Sequence, residues 1–233
     1  MAGQDRVIVA PGDTLPDDVQ GKEPYVIDIG GKKVATVVGL LDLRGEKPNF
    51  IPLLHVYVPK PGDVVIGLVS SIGVMNWFVD INSPYAAVLT AQDFLGRPYN
   101  PLTDDLTRYL KVGDYIKAKV VAFDRSRNPL LTVNGEGLGK ITEGKIVEIQ
   151  PAKVPRVIGK KKSMLNMLES ETGCQIFVAV NGRIHILCPN KDLESIMVLA
   201  IKMIEREAHT VGLTERVQKY IQELKKIKGI GEA

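Results

Sequence analysis

The residues with the most chemical content run from 154 to 165: Val154-Pro155-Arg156-Val157-Ile158-Gly159-Lys160-Lys161-Lys162-Ser163-Met164-Leu165. An apolar run ends on a glycine, three lysines follow, and Ser163 is a residue type that caps helices. This reads as a strand, a tight basic turn and a helix N-terminus. Backbone N–H groups at a helix start, with ammonium groups beside them, suit a phosphate chain. Lys160, Lys161 and Lys162 would act there as point charges. A second set lies upstream. Phe78 alternates with Trp77, Val79 and Ile81. If those three fill a core, Phe78 points outward and can stack a base, an interaction worth about 1–3 kcal/mol. The alternative is that Phe78 packs under the connection formed by residues 90–111. Lys117 and Lys119 share one face of a strand, and Arg125 and Arg127 follow in the next turn. Together they could track a phosphate backbone, although singly each reads as a solvated surface charge. Arg97 and Arg108, in the long connection, are further candidates.

No Ser/His/Asp, paired-carboxylate or Cys/His set occurs at a spacing that argues catalysis. The expectation is a chain with no catalytic site, no metal and no cofactor. Asp104 and Asp105 could hold a metal but read as a solvated acidic pair. His55 and His209 are isolated, and His185 alternates with Ile184 and Ile186, so it faces away from the core side. Cys174 and Cys188 fit a reducing compartment and are expected as buried free thiols rather than a disulfide.

The net charge of +3 is unevenly spread over the 233 residues. Residues 138–233 carry 16 basic and 11 acidic side chains, whereas residues 1–60 and 61–137 carry 7 and 8 each. Attraction for nucleic acid is therefore concentrated in the last third, and one copy should bind weakly and with salt sensitivity. No run of about 18 apolar residues appears, so no membrane span is expected. Residues 1–6 lack the apolar core of a signal peptide, which points to a cytoplasmic protein.

Three segments must position these residues. Residues 1–58 look all-β, with strand-like runs at 7–10, 25–29, 33–41 and 53–58 and a hairpin around Gly30-Gly31. Residues 62–137 read as a five-stranded barrel with strands at 63–71, 75–81, 85–89, 114–123 and 129–133. In the fourth, Ile116, Ala118 and Val120 face one way and Tyr115, Lys117 and Lys119 the other. The long connection between strands three and four suits an OB-fold. Residues 138–143 read as a flexible joint. Beyond it, residues 144–228 mix α and β. A strand covers 144–149, and a helix covers 163–172 with Gly173 after its end. Two strands (174–178 and 183–187) turn through Asn181-Gly182, and a helix is capped by Asn190. A last helix starts at Thr214.

The middle segment resembles the S1 RNA-binding domain through Pro61-Gly62-Asp63-Val64-Val65-Ile66-Gly67-Leu68-Val69, Trp77-Phe78-Val79-Asp80-Ile81 and Val112-Gly113-Asp114-Tyr115-Ile116-Lys117-Ala118-Lys119-Val120. The last resembles a KH domain through Val157-Ile158-Gly159-Lys160-Lys161 and through Ala179-Val180-Asn181-Gly182-Arg183-Ile184, which is similar to a G-x-N-G turn. A small β domain, then S1, then KH, resembles the RNA-binding cap subunits of the archaeal exosome. The resemblance implies a multidomain fold, mostly β plus α+β, with an N-terminal β domain (1–58), an S1-type OB barrel (62–137) and a KH domain (144–228) with a C-terminal helix. It implies a non-catalytic role, with three copies docked through the N-terminal domain on a hexameric RNase PH-like ring. They would hold single-stranded RNA for 3′-5′ phosphorolysis or tailing. The chain departs from the family pattern at three places. Lys162 stands for the second glycine of G-x-x-G, Ala179 for the first of G-x-N-G, and no histidine lies in the barrel, where Leu89 is near the usual place. The rival readings are a free-standing RNA-binding protein of translation or RNA processing, and a nuclease with a cryptic site.

Overall fold

A computed structural model describes residues 6–21, 25–53, 55–208, 210 and 212–230. Residues 1–5 and His209 lie outside that set. The chain divides into two compact units, Met1–His55 and Val56–Ala233. Among the described residues no helix is long and apolar enough to cross a membrane.

The first unit contains β1 (Arg6–Val9), β2 (Val26–Ile29), β3 (Lys32–Ala35), β4 (Gly39–Asp42) and β5 (Asn49–Pro52). Strands β2 and β3 form the expected hairpin, and Gly30 and Gly31 both take positive φ, as such a tight turn requires. Strands β1, β4 and β5 form an antiparallel sheet in that order. Its inner face presents Val9, Leu41 and Phe50 to a core shared with Leu15, Val19, Val26 and Ala35. The Phe50 ring lies across Gly39, where a Cβ would come within 2.4 Å of it. The strand expected at 53–58 is not present. The chain turns back earlier, so residues 49–52 take the pairing with β4, and the ladder ends where Pro52 meets Gly39. Leu54 lies outside the described residues. Tyr57 instead belongs to the core of the second unit, where its hydroxyl donates to Asp63 at 2.7 Å.

The second unit begins with the barrel: β6 (Val64–Ile72), β7 (Asn76–Asp80), β8 (Ala86–Thr90), α1 (Ala91–Leu95), β9 (Tyr115–Ala122), β10 (Leu130–Thr132) and β11 (Gly139–Ile141). Five strands close on themselves in the order β10-β8-β7-β6-β9, with β9 pairing back to β10. The period-2 pattern decides the inside. Trp77, Val79, Ile81, Leu89, Ile116, Ala118 and Val120 are fully buried. The Trp77 indole N–H donates to the Leu110 carbonyl at 3.2 Å, which ties down the long connection. The joint expected at 138–143 is in part strand β11. Strand β10 covers β9 only from Lys119 onward, so the backbone of 115–117 needs another partner on that side, and Gly139–Ile141 supplies it.

The unit continues with β12 (Lys145–Glu148), α2 (Val154–Ile158), α3 (Ser163–Thr172), β13 (Gln175–Val178), β14 (Arg183–Leu187), α4 (Lys191–Arg206) and α5 (Leu213–Ile227). The sheet order is β12-β14-β13. Four expectations are corrected here. Residues 154–158 form a helix, not a strand, because Val154, Val157 and Ile158 follow helical spacing and Pro155 sits in the first turn, where a missing N–H costs nothing. Ser163 is the first helical residue rather than the cap, and the cap position is held by Lys162 with no side-chain hydrogen bond. Helix α5 starts at Leu213, after Gly212 in the left-handed conformation. Cys174 and Cys188 are joined in a disulfide. The β13–β14 ladder pairs Gln175 with Leu187, so the two cysteines fall directly opposite each other one step further along. The other two caps are as the sequence implies. Gly173 ends α3 in the left-handed conformation, and the Asn190 side chain accepts from the Leu193 N–H at 2.8 Å. Helix α4 buries Leu193, Ile196, Met197, Ala200 and Ile204, while Met203 of the expected stripe is only half-buried.

Candidate nucleic-acid interface

Because strand side chains alternate, the barrel's outer surface is fixed once its core is known. Phe78 is half-buried on that outer face. It pairs across the ladder with Val88, and Val88 pairs with Leu130, which sets the three side by side over β7, β8 and β10. Next to them lies an open groove of about 640 Å³, lined among others by Val88, Val121, Phe123, Arg127 and Leu130. Val121 and Leu130, 50% and 38% exposed, both line this groove, so they form a patch rather than isolated surface residues. The Phe123 ring is held edge-on against Tyr85 with centroids 4.7 Å apart. The turn that follows is fastened by Asp124, whose carboxylate accepts from the Ser126 N–H and hydroxyl and from the Arg127 N–H. Those bonds lower its pKa, Ser126 contributing most. Arg125 holds a positive φ of 65°. Both guanidiniums are exposed, and among the described residues neither has a carboxylate within ion-pair distance. Lys119 is exposed on the same face, opposite Thr132.

The other cations fall elsewhere. Lys117 sits over the Phe177 ring at 4.4 Å, between the barrel and the following domain, and burial lowers its pKa. Arg97 is gripped by both oxygens of Asp104, at 2.7 and 2.9 Å, and this pairing raises its already high pKa. It is a strut of the long connection. Arg108 lies in that connection, 3.8 Å from Asp105 and largely exposed. Asp104 and Asp105 each have partners within the connection. Asp104 serves Arg97 and the Asn100 N–H, which hold its pKa near about 2, and Asp105 caps Thr107.

The basic turn of residues 159–162 is exposed at all three lysines. Gly159 has φ +74°, and a Cβ there would come within 2.6 Å of the Met164 backbone nitrogen. Lys161 and Lys162 have φ of 52° and 63°. Lys162 thus takes the backbone state that a glycine would occupy freely, at a cost of roughly 1–2 kcal/mol. No acidic residue occurs between 151 and 168, so this end is purely cationic.

The turn of residues 179–183 has the opposite character. Asn181 is fully buried and plugs the barrel wall. Its Nδ2 donates to the carbonyls of Ile66 (2.8 Å) and Ile81 (2.9 Å), and its own carbonyl accepts from Asn82 Nδ2 at 2.8 Å. Arg183, 3% exposed, donates to Asp80 Oδ2 at 2.6 Å and to Glu148 Oε1 at 2.7 Å. Gly182 must lack a Cβ, which would come within 2.3 Å of the Ile149 carbonyl. Ala179 does not take a positive φ, so its departure from G-x-N-G costs nothing. His185 is half-buried, its Nε2 2.8 Å from the Glu143 carbonyl, and burial lowers its pKa.

The fold and this geometry agree with comparisons to known proteins. The chain is 64% identical over 225 residues to an exosome complex component Rrp4 of Aeropyrum pernix, covering 96% of each chain. It belongs to the Rrp4 family of exosome components. Rrp4 of Ignisphaera aggregans is 48% identical, over 97% of this chain and 93% of its own. Rrp4 of Sulfurisphaera tokodaii is 47% identical, over 94% and 90%. The family model for the KH domain matches residues 144–192, from the start of β12 into α4. A crystal structure titled as a putative exosome complex RNA-binding protein superposes with a TM-score of 0.72 at 68% identity, covering 75% of this chain and 99% of that one. In this Rrp4-family chain, sequence reasoning missed Phe123, Tyr85 and the Val88–Leu130 stripe as parts of the outer face. The exposed odd-numbered aliphatic Val121 in β9 was the signal that could have shown them.

Proposed function

We propose that the chain is a non-catalytic RNA-binding subunit of a cytoplasmic exosome. It would hold single-stranded RNA and thread it into an RNase PH-like hexameric ring for 3′-5′ degradation or tailing. The observation that carries the reading is the outer barrel stripe Phe78–Val88–Leu130, running into a groove bordered by Arg127, with the exposed Arg125 in the same turn. Stacking on such a surface tolerates any base, and guanidiniums beside it take the phosphates. The names of the relatives agree with it. Lys119 adds a contact on the same face, and Lys160, Lys161 and Lys162 offer a second, independent one. Three copies around a pore would convert weak single contacts into firm holding by raising effective concentration.

The ring contact is assigned to the outer face of the β1-β4-β5 sheet. Ile8, Leu40 and Ile51 stand opposite one another there, with Ile8 72% exposed. The test follows the length of a labelled single-stranded RNA in phosphate, with the chain alone and with the ring. The expected result is no shortening by the chain alone and faster or more processive shortening with the ring. Shortening by the repurified chain would overturn the non-catalytic reading. No effect on the ring would favour a free-standing RNA-binding protein.

A further inference from the structure

Where the barrel meets the KH domain, a second cavity of about 220 Å³ opens. Its lining includes Lys117, Lys140, Thr142, Glu143, His185 and the glycine-rich segment 137–139. The volume is below the roughly 300 Å³ at which sites for drug-sized ligands begin, and the lysine-bearing lining suits a small oxyanion. Lys140 is already held by Asp114 at 2.6 Å. Lys117 is not: among the described residues no carboxylate lies within ion-pair distance, and its ammonium is steadied only by the Phe177 ring. Gly137 and Gly139 have positive φ, and a Cβ on either would meet nothing within 4 Å, so the backbone is open to close approach there. With Lys140 neutralised by Asp114, the cavity keeps one ammonium without a carboxylate partner, Lys117, beside the His185 imidazole and the open backbone of 137–139, and Glu143 is the carboxylate of its lining.

We infer that this cavity binds a phosphate group, with Lys117 as its charge partner and His185 beside it. The group has two possible sources, free orthophosphate or a phosphodiester of bound RNA. Strand β9 connects the cavity to the RNA groove. Val121 lines the groove, Lys119 is exposed, and Lys117 lines the cavity, a row of outward side chains about 13 Å long at strand spacing. The RNA source rests on the function proposed above, whereas orthophosphate does not.

The experiment records the His185 ring and the Gly137 and Gly139 amide resonances of the full chain in phosphate-free buffer. Sodium phosphate and a short oligouridylate are titrated separately, against sodium chloride of equal ionic strength. Saturable shifts with phosphate are expected, weakened about tenfold or more in Lys117→Met and retained in Lys117→Arg. Shifts with both probes, with phosphate displacing the RNA effect, assign the site to a phosphodiester as well. Shifts with phosphate alone assign it to the free ion. No shift with either probe, or shifts unaltered in a folded Lys117→Met, would overturn the site. RNA binding is followed in parallel by fluorescence anisotropy. RNA that binds without moving His185, with phosphate also silent, removes the cavity and leaves the proposed function. Phosphate shifts without any RNA binding do the reverse.

Discussion

Two turns of the same KH domain, 159–162 and 179–183, spend their polar groups in opposite ways. The second is buried in the barrel wall, and every donor of Asn181 and Arg183 that faces the barrel has a protein partner. The first is exposed, holds two lysines in the left-handed region, and pairs its ammonium groups with no acid among the described residues. The turn used for assembly satisfies its charges inside the chain, while the exposed turn leaves them available and tolerates strain. The barrel repeats the contrast, because Arg97 is taken by Asp104 while Arg125 and Arg127 are not.

The largest effect should come from breaking the buried turn. Asn181→Ala leaves the Ile66 and Ile81 carbonyls without their partner, and one unsatisfied buried group costs about 1–3 kcal/mol. We expect about 3 kcal/mol in a urea titration of the full chain, and a loss under about 1 kcal/mol would contradict the plug. Removing the Cys174–Cys188 disulfide, which staples the hairpin carrying this turn, should cost close to that, about 3 kcal/mol for a loop of this length. The check is the denaturation midpoint with and without reductant, and the double alanine variant should no longer respond to reductant. The exposed turn should behave in the opposite sense. Lys162→Gly relieves the left-handed strain and should stabilise by roughly 0.5–1 kcal/mol once the entropy of glycine in the unfolded chain is offset. Destabilisation by Lys162→Gly in the same titration would show that the lysine side chain supports the fold. The smallest effect concerns the committed pair in the barrel. The Asp104 pKa, near about 2, is depressed below its ordinary 3.8 chiefly by Arg97. Its contribution is therefore present above about pH 4 and lost as pH falls through 2. Resonances of the folded 97–104 connection should titrate with a midpoint of about 2, and a midpoint at the ordinary 3.8 would contradict the pairing.

What the sequence made legible follows from how local each signal is. The barrel strands could be read because β9 alternates strictly, with Ile116, Ala118 and Val120 inward, and the caps Gly173 and Asn190 act within four residues of themselves. The segment 154–158 misled because an apolar pair before a glycine looks the same at the end of a strand or of a short helix, and only the Val154–Val157 spacing tells them apart. The disulfide needed the strand register, which a spacing of 14 residues does not reveal. Asn181-Gly182 was readable as a turn that serves packing, but its partners Ile66 and Ile81 lie about a hundred residues away in sequence. For the same reason Lys117 and Lys119, alike in pattern, part company in the fold, since alternation shows which way a side chain points and not what covers it.

The central claim is that the outer barrel face, with its unpaired arginines, holds single-stranded RNA. The direct measurement is fluorescence anisotropy of a labelled RNA across a range of salt. It compares the wild type with Phe78→Ala, with Arg125→Gln/Arg127→Gln, and with Arg97→Gln as the committed control. Phe78→Ala should weaken binding by about 1–3 kcal/mol. The double arginine variant should flatten the slope of log affinity against log salt by about 1.4, roughly 0.7 per lost phosphate contact. Arg97→Gln should leave both unchanged. Wild-type affinity and slope in the first two variants, or a loss confined to Arg97→Gln, would contradict the account.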